Sequence, residues 1–135
     1  MSIQAVVRGN LTKDPEAREV KVDGQPRRLV EIRVFSDEYR QQGDDLVQDD
    51  EKCSAVDVTI WNERLGDQVM NLLKKGVRVE VSGNMHLHRY KDRETQEPRA
   101  QLRVTADTIT LALSSRIEHI SFAPSRRERD AELPA

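Results

Sequence analysis

A single cysteine, Cys53, stands among 135 residues, so no internal disulfide can form and a reducing compartment suits the chain. No apolar run approaches the ~18 residues that a membrane-crossing helix needs. The opening "MSIQAVVRGN" lacks the basic start and apolar stretch of a signal peptide, so a cytoplasmic protein without membrane contact is expected. Serine, histidine and aspartate form no catalytic triad pattern, and no glycine loop is built to cradle phosphate, so an enzyme is not expected. His86 and His88 are two apart, but zinc takes three or four ligands. Only His119, Cys53 and scattered carboxylates could complete the set, so neither a metal nor another cofactor is expected. Aromatics are scarce as well: Phe35, Tyr39, Trp61, Tyr90 and Phe122 are the whole complement.

Charge is what the chain has in quantity. Charged residues make up 34% and hydrophobic residues 36%, which describes one domain with a lean core and a highly charged surface. The formal net charge is −2, but it is unevenly spread. Residues 37–52 hold seven acids (Asp37, Glu38, Asp44, Asp45, Asp49, Asp50, Glu51) against two bases. Removing that stretch leaves 20 bases and 17 acids, a net of +3, and segment 84–103 alone carries five bases to three acids. An acidic loop beside a mildly basic patch is therefore expected.

Most of the chain alternates with period two, the mark of half-buried strands. Ile3, Ala5 and Val7 alternate with polar neighbours, and Val6 is an exception. "KDPEAR" reads as a turn, and "KVDGQPR" supplies Asp-Gly and Pro as hairpin punctuation. Val30, Ile32 and Val34 face one way, with Glu31, Arg33 and Phe35 the other. In the next strand Val56, Val58 and Ile60 form the core face, which leaves Trp61 with Ala55, Asp57 and Thr59 on the wetter side. Asn62 caps one helix carrying Leu65, Val69, Leu72 and Leu73, closed by Lys74 and Lys75 and stopped by Gly76. A long strand follows: Val77, Val79, Val81, Met85 and Leu87 point inward, and His86, His88 and Tyr90 outward. Gly83 within it predicts a bend or bulge. After the polar loop "KDRETQEP", Leu102 and Val104 return inward, with a phase shift near Asp107.

The resulting order is strand, strand, long mobile loop 37–52, strand, helix, long bent strand, strand. It predicts a mainly β chain: a five-stranded, partly open barrel of the oligonucleotide-binding type, with one α-helix between strands 3 and 4 and extended hairpins. Residues 1–113 would be that domain, and 114–135 a short disordered tail.

Alternation turns Trp61 and Tyr90 toward polar faces, and Tyr39 lies in a charged loop. Such aromatics could stack on bases or pack in a core. Arg89, Lys91, Arg93, Arg99 and Arg103 surround one hairpin, with Lys74 and Lys75 ahead of its first strand. Cations interleaved with exposed aromatics suit a groove that pairs phosphates and stacks bases. Strict alternation would turn Arg89 inward, beside Leu87, unless the strand end twists.

"VVRGNLTKDPEAR" and "IWNERLGDQVMNLLKKGVRVEVSGNMHLHRYKD" resemble the two signatures of the bacterial single-stranded DNA-binding protein family. The likeness runs from about residue 3 to about residue 113. It implies single-stranded DNA as partner, coated without sequence preference during replication, repair, recombination or conjugative transfer, and assembly into a homotetramer. A dimer is the alternative. It also implies that Tyr39, Trp61 and Tyr90 occupy stacking positions, whereas a fourth such position falls on Ala55. The ending "RDAELPA" lacks the aromatic tip through which members recruit replication proteins, so recruitment of replication or conjugation proteins is in doubt. The competing reading is an interaction module of the same fold, in a primosome-like or conjugation complex, with weak DNA binding.

Overall fold

The computed structural model describes residues 3–36, 39–48 and 54–132, the side chains of 39–42, 45–48 and 132 excepted. β1 (Ile3–Leu11) is followed by β2 (Glu16–Val22) and β3 (Gln25–Ser36). β4 (Tyr39–Gln42) and β5 (Asp45–Gln48) form a separate small hairpin. β6 (Ser54–Ile60), α1 (Glu63–Leu72), β7 (Arg78–Lys91) and β8 (Pro98–Leu111) complete the domain. The main sheet runs β1-β7-β8-β6-β3-β2, and pairing of β1 with β3 through Asn10↔Phe35 and Leu11↔Val34 closes five of its strands into a ring. The expected five-stranded architecture is therefore present. α1 follows the third strand of that ring, or the fourth of the sheet once β2 is counted.

The core is aliphatic. Ile32, Val34, Val58, Ile60, Val79, Val81 and Val104 are each no more than 1% exposed, and every one lies on a face that alternation assigns inward. α1 covers the ring with Val69, and its first turn is capped by the Asn62 Oδ1, which accepts the Leu65 N–H at 3.0 Å.

Gly83 does what its position predicts. β7 and β8 change register between Ser82 and Gly83, so that Gly83 faces Ala106 while Ser82 faces Thr108. Asp107, where the sequence shifts phase, is the residue passed over. A Cβ on Gly83 would overlap the Thr105 carbonyl oxygen and approach the Thr105 carbonyl carbon to 2.9 Å, so only glycine lets the strands close here. The Asp23–Gly24 turn has φ of 52° and 78°, as a two-residue hairpin with both central residues left-handed requires.

Four expectations are corrected. β2 occupies residues read as turn; "EAREVKV" buries neither face, so no apolar alternation announces it, and it pairs only with β3 from the sheet edge. The acidic stretch is a hairpin in part, turned at Gly43 with φ 65°. Lys74 and Lys75 lie beyond the helix, which ends at Leu72 with Leu73 as its cap, and Leu72 is 74% exposed rather than core-facing. Apart from these four, α2 (Arg126–Glu132) is started by a reciprocal cap. Glu128 N–H donates to Ser125 Oγ at 3.2 Å, and Ser125 N–H donates to Glu128 Oε2 at 3.1 Å. Among the described residues, no helix is long and apolar enough to cross a membrane.

Candidate nucleic-acid interface

Cross-strand register aligns the outward residues into one surface, because directly paired residues share a face. On β7 and β8 the pairs are His86↔Arg103, His88↔Gln101 and Tyr90↔Arg99. Arg103 also pairs with Asp57 of β6, and Asp57 with Arg33 of β3. The surface thus crosses four strands. Along it, Trp61 lies four residues from Asp57 in one direction, and Tyr90 four residues from His86 in the other. At about 3.3 Å per residue and about 4.8 Å per strand, the two aromatics stand on the order of 28 Å apart, on a diagonal.

Tyr90 is 43% exposed, and its ring stacks on His88 with centroids 5.8 Å apart and planes 18° from parallel. Around it a groove of about 610 Å³ is lined by His88, Tyr90, Lys91, Arg93, Gln101 and Arg103, with Asp92 and Glu94 at the loop. Four of the predicted residues therefore meet: Tyr90, Lys91, Arg93 and Arg103. Arg89 is exposed although the register keeps it on the side of Leu87, because the hairpin runs beyond the core there and Leu87 is itself 47% exposed. Among the described residues, Arg89, Lys91, Arg93 and Arg103 make no ion pair, which leaves their charge for a ligand.

Arg99 is different. Its Nε lies 3.1 Å from Asp92 Oδ2. Asp92 in turn accepts the backbone N–H of Glu94 at 2.9 Å and of Thr95 at 3.2 Å, which ties the loop. Those two backbone bonds, then the Arg99 guanidinium, hold its carboxyl below the usual range.

Trp61 is half-buried, and the Arg27 guanidinium lies over its ring, 5.1 Å from the centroid. Arg27 did not stand out in the sequence. The signal was available in parity, since residue 27 shares the face of Glu31, Arg33 and Phe35. Asp57, Gln101 and Arg33 were likewise passed over; Gln101 Nε2 donates to Asp57 Oδ2, and Arg33 Nε lies 4.0 Å from Asp57 Oδ1.

Tyr39 opens β4, whose hairpin leaves β3 and returns to β6 at the end of the sheet from which the β7–β8 hairpin also projects; its side chain lies outside the described residues. Lys74 and Lys75 are not gathered with the others. They precede β7, whereas Tyr90 is near its far end, on the order of 40 Å away along the strand. A larger groove, about 780 Å³, also lies away from Tyr90. It runs between α1 and residues 114–122, and includes Leu65, Leu72, Leu111, Ile117, Ile120 and Phe122.

Residues 3–112 match the model of the single-strand binding protein family. The chain belongs to that family. Family membership also settles that this is not an enzyme. Among solved structures, it is similar to the small single-stranded DNA-binding protein from Streptomyces coelicolor. That likeness has 17% identity and a TM-score of 0.68, over 84% of this chain and 96% of that one. It is also similar to the Plasmodium falciparum protein solved with single-stranded DNA, at 15% identity and TM-score 0.59, over 81% and 93% of the two chains. These two likenesses show the oligonucleotide-binding fold. No curated protein matches the chain. Among the described residues, no group of three or more His, Cys, Asp or Glu side chains could hold a metal.

Proposed function

We propose that this family member coats single-stranded DNA through the outer face of β3, β6, β7 and β8, without chemistry of its own. Trp61 and Tyr90 stack on bases, and Tyr39 extends the row. Arg89, Lys91, Arg93 and Arg103 meet phosphates, with Arg99 joining when it leaves Asp92. Lys74 and Lys75 lie outside this track and act, if DNA continues around the domain, as a separate contact. The observation that carries the reading is the division of labour in the side chains. No described aromatic is buried in the core, while Tyr90 and Trp61 bracket one face and four cations on and around the β7–β8 hairpin make no ion pair among the described residues. Cations tracking the backbone and rings tolerant of any base give binding that ignores sequence to first order.

The chain acts in the cytoplasm, on strands exposed in replication, repair, recombination or transfer, and as a homo-oligomer. The family resemblance favours a tetramer over a dimer. β1 supports self-association: one edge pairs with β7, while the other meets β3 only at Asn10 and Leu11, and Ile3 and Val6 are both 58% exposed.

Titration with oligo-dT, following the fluorescence of the single tryptophan, tests the reading. Quenching that saturates at a fixed nucleotide-to-protein ratio is expected; none at low salt would sink it. The apolar groove beside α1 favours one second reading, an interaction module in a primosome-like or conjugation complex, and that null result would shift the weight there.

A further inference from the structure

Between Trp61 and Tyr90 the face is not uniformly basic. Its midpoint carries a carboxylate, Asp57, in register with Arg103 and so with His86, four residues along the strands from each aromatic. We propose that Asp57, held by Gln101, reads the edge of the base lying midway between the two rings, and favours bases with an exocyclic amino group, cytosine foremost, over those with a carbonyl there. The inference rests on the single-stranded DNA reading above and specifies which DNA that face prefers.

The Arg33 pair alone does not account for an acid in this place. At 4.0 Å, with side chains 47% and 34% exposed, it adds little stability. The hydrogen bond from Gln101 says more, because it decides what the midpoint offers a ligand. Gln101 spends one N–H of its Nε2 on Asp57 Oδ2, which leaves its Oε1 and one remaining N–H to meet another group. A carboxylate has room for about four hydrogen bonds, and among the described residues one donor is engaged here. The centre of the track therefore presents open carboxylate acceptors between the Arg33 and Arg103 guanidiniums.

Acceptors discriminate between bases. Cytosine offers the N4 amino group as a donor, and Asp or Glu is its ordinary partner; thymine and uracil put the O4 oxygen in that place. Against Asp57 the amino group makes a charge-assisted hydrogen bond, whereas O4 sets oxygen against oxygen and leaves only the neighbouring N3–H to donate. Arg33 and Arg103 on either side keep the neighbourhood open to phosphate despite the acid. Base preferences of single-strand binders usually come from stacking and backbone flexibility, so a preference set by one carboxylate is a separable effect.

Oligo-dC and oligo-dU differ at position 4 of the base and in the proton that uracil carries on N3. Titrating the full chain with each, at equal length and salt and by Trp61 quenching, reads the effect directly. The wild type is expected to bind dC about tenfold more tightly. Asp57→Asn keeps the side-chain shape and the bond from Gln101 but adds an amide donor, and is expected to bring the two affinities within about twofold while both rise as a negative charge is lost. Equal wild-type affinities, or a preference that survives Asp57→Asn, would overturn the assignment. If the wild type binds neither oligonucleotide, the DNA reading itself falls and takes the preference with it; binding to both without preference removes Asp57's role only.

Discussion

Raising salt fourfold, from about 50 to 200 mM, perturbs the proposed track most directly, because phosphate contacts release counterions. Four cations on or beside the Tyr90 groove, Arg89, Lys91, Arg93 and Arg103, have no ion-pair partner among the described residues, whereas Arg99 is held by Asp92. Taking those four as the contacts, with a slope of about −0.7 per contact for single strands, gives a log–log salt slope near −2.8 and about a 50-fold loss of affinity. The structure also predicts which variant moves the slope. Lys91→Ala or Arg103→Ala removes an available charge and should flatten it by about 0.7. Arg99→Ala removes a charge already spent on Asp92, and should change it by much less. The assay is equilibrium titration of oligo-dT at five or so salt concentrations, for the wild type and the three variants. A wild-type slope shallower than about −1 would refute the cation track, and equal effects of Arg99→Ala and Lys91→Ala would refute the distinction between paired and free cations.

Tyr90→Ala and Trp61→Ala should each weaken oligo-dT binding by about 1–3 kcal/mol at unchanged melting temperature, Trp61→Ala, which lacks the fluorophore, being read by anisotropy of labelled DNA; a change below twofold in both would remove stacking from the mechanism. Gly83→Ala should cost about 1–3 kcal/mol in urea unfolding, since its Cβ meets the Thr105 backbone and either the bulge or a strand must move; a neutral result would mean that the hairpin tolerates another register. The depressed Asp92 carboxyl has a definite sign: its contribution to the hairpin loop is fully present above the ordinary value of 3.8 and lost as pH falls through the lower folded value. Amide signals of Glu94 and Thr95 should therefore hold steady from neutral pH down to that value and shift only below it, and a shift centred near neutrality would contradict the assignment.

Where one face of a strand is buried, the sequence by itself determined the outcome, because period two then records the burial directly. Val56, Val58 and Ile60 on one side of β6, with Asp57, Thr59 and Trp61 on the other, needed no coordinates. The same holds for Gly83 and the phase shift at Asp107, two halves of one bulge visible on both strands. β2 and the β4–β5 hairpin escaped, since a strand that buries neither side chain row is made by backbone pairing that leaves no apolar period. The capping box of α2 was legible in "SRRE" but carried no apolar run to draw attention.

Tertiary structure alone decided which outward residues become neighbours. Nothing local places Arg27 on Trp61, sets Asp57 beside Gln101, or spends Arg99 on Asp92, since these pairs are 34, 44 and 7 residues apart in the chain. Nor does local sequence separate Lys74 and Lys75 from the hairpin cations that follow within twenty residues. A strand carries side chains about 3.3 Å further from their origin with each residue, so a short separation along the chain becomes a long one in space, while register across the sheet brings distant segments to within about 5 Å. The kinds of side chain turned outward were written in the sequence; which of them face a nucleotide together depends on how the strands are paired.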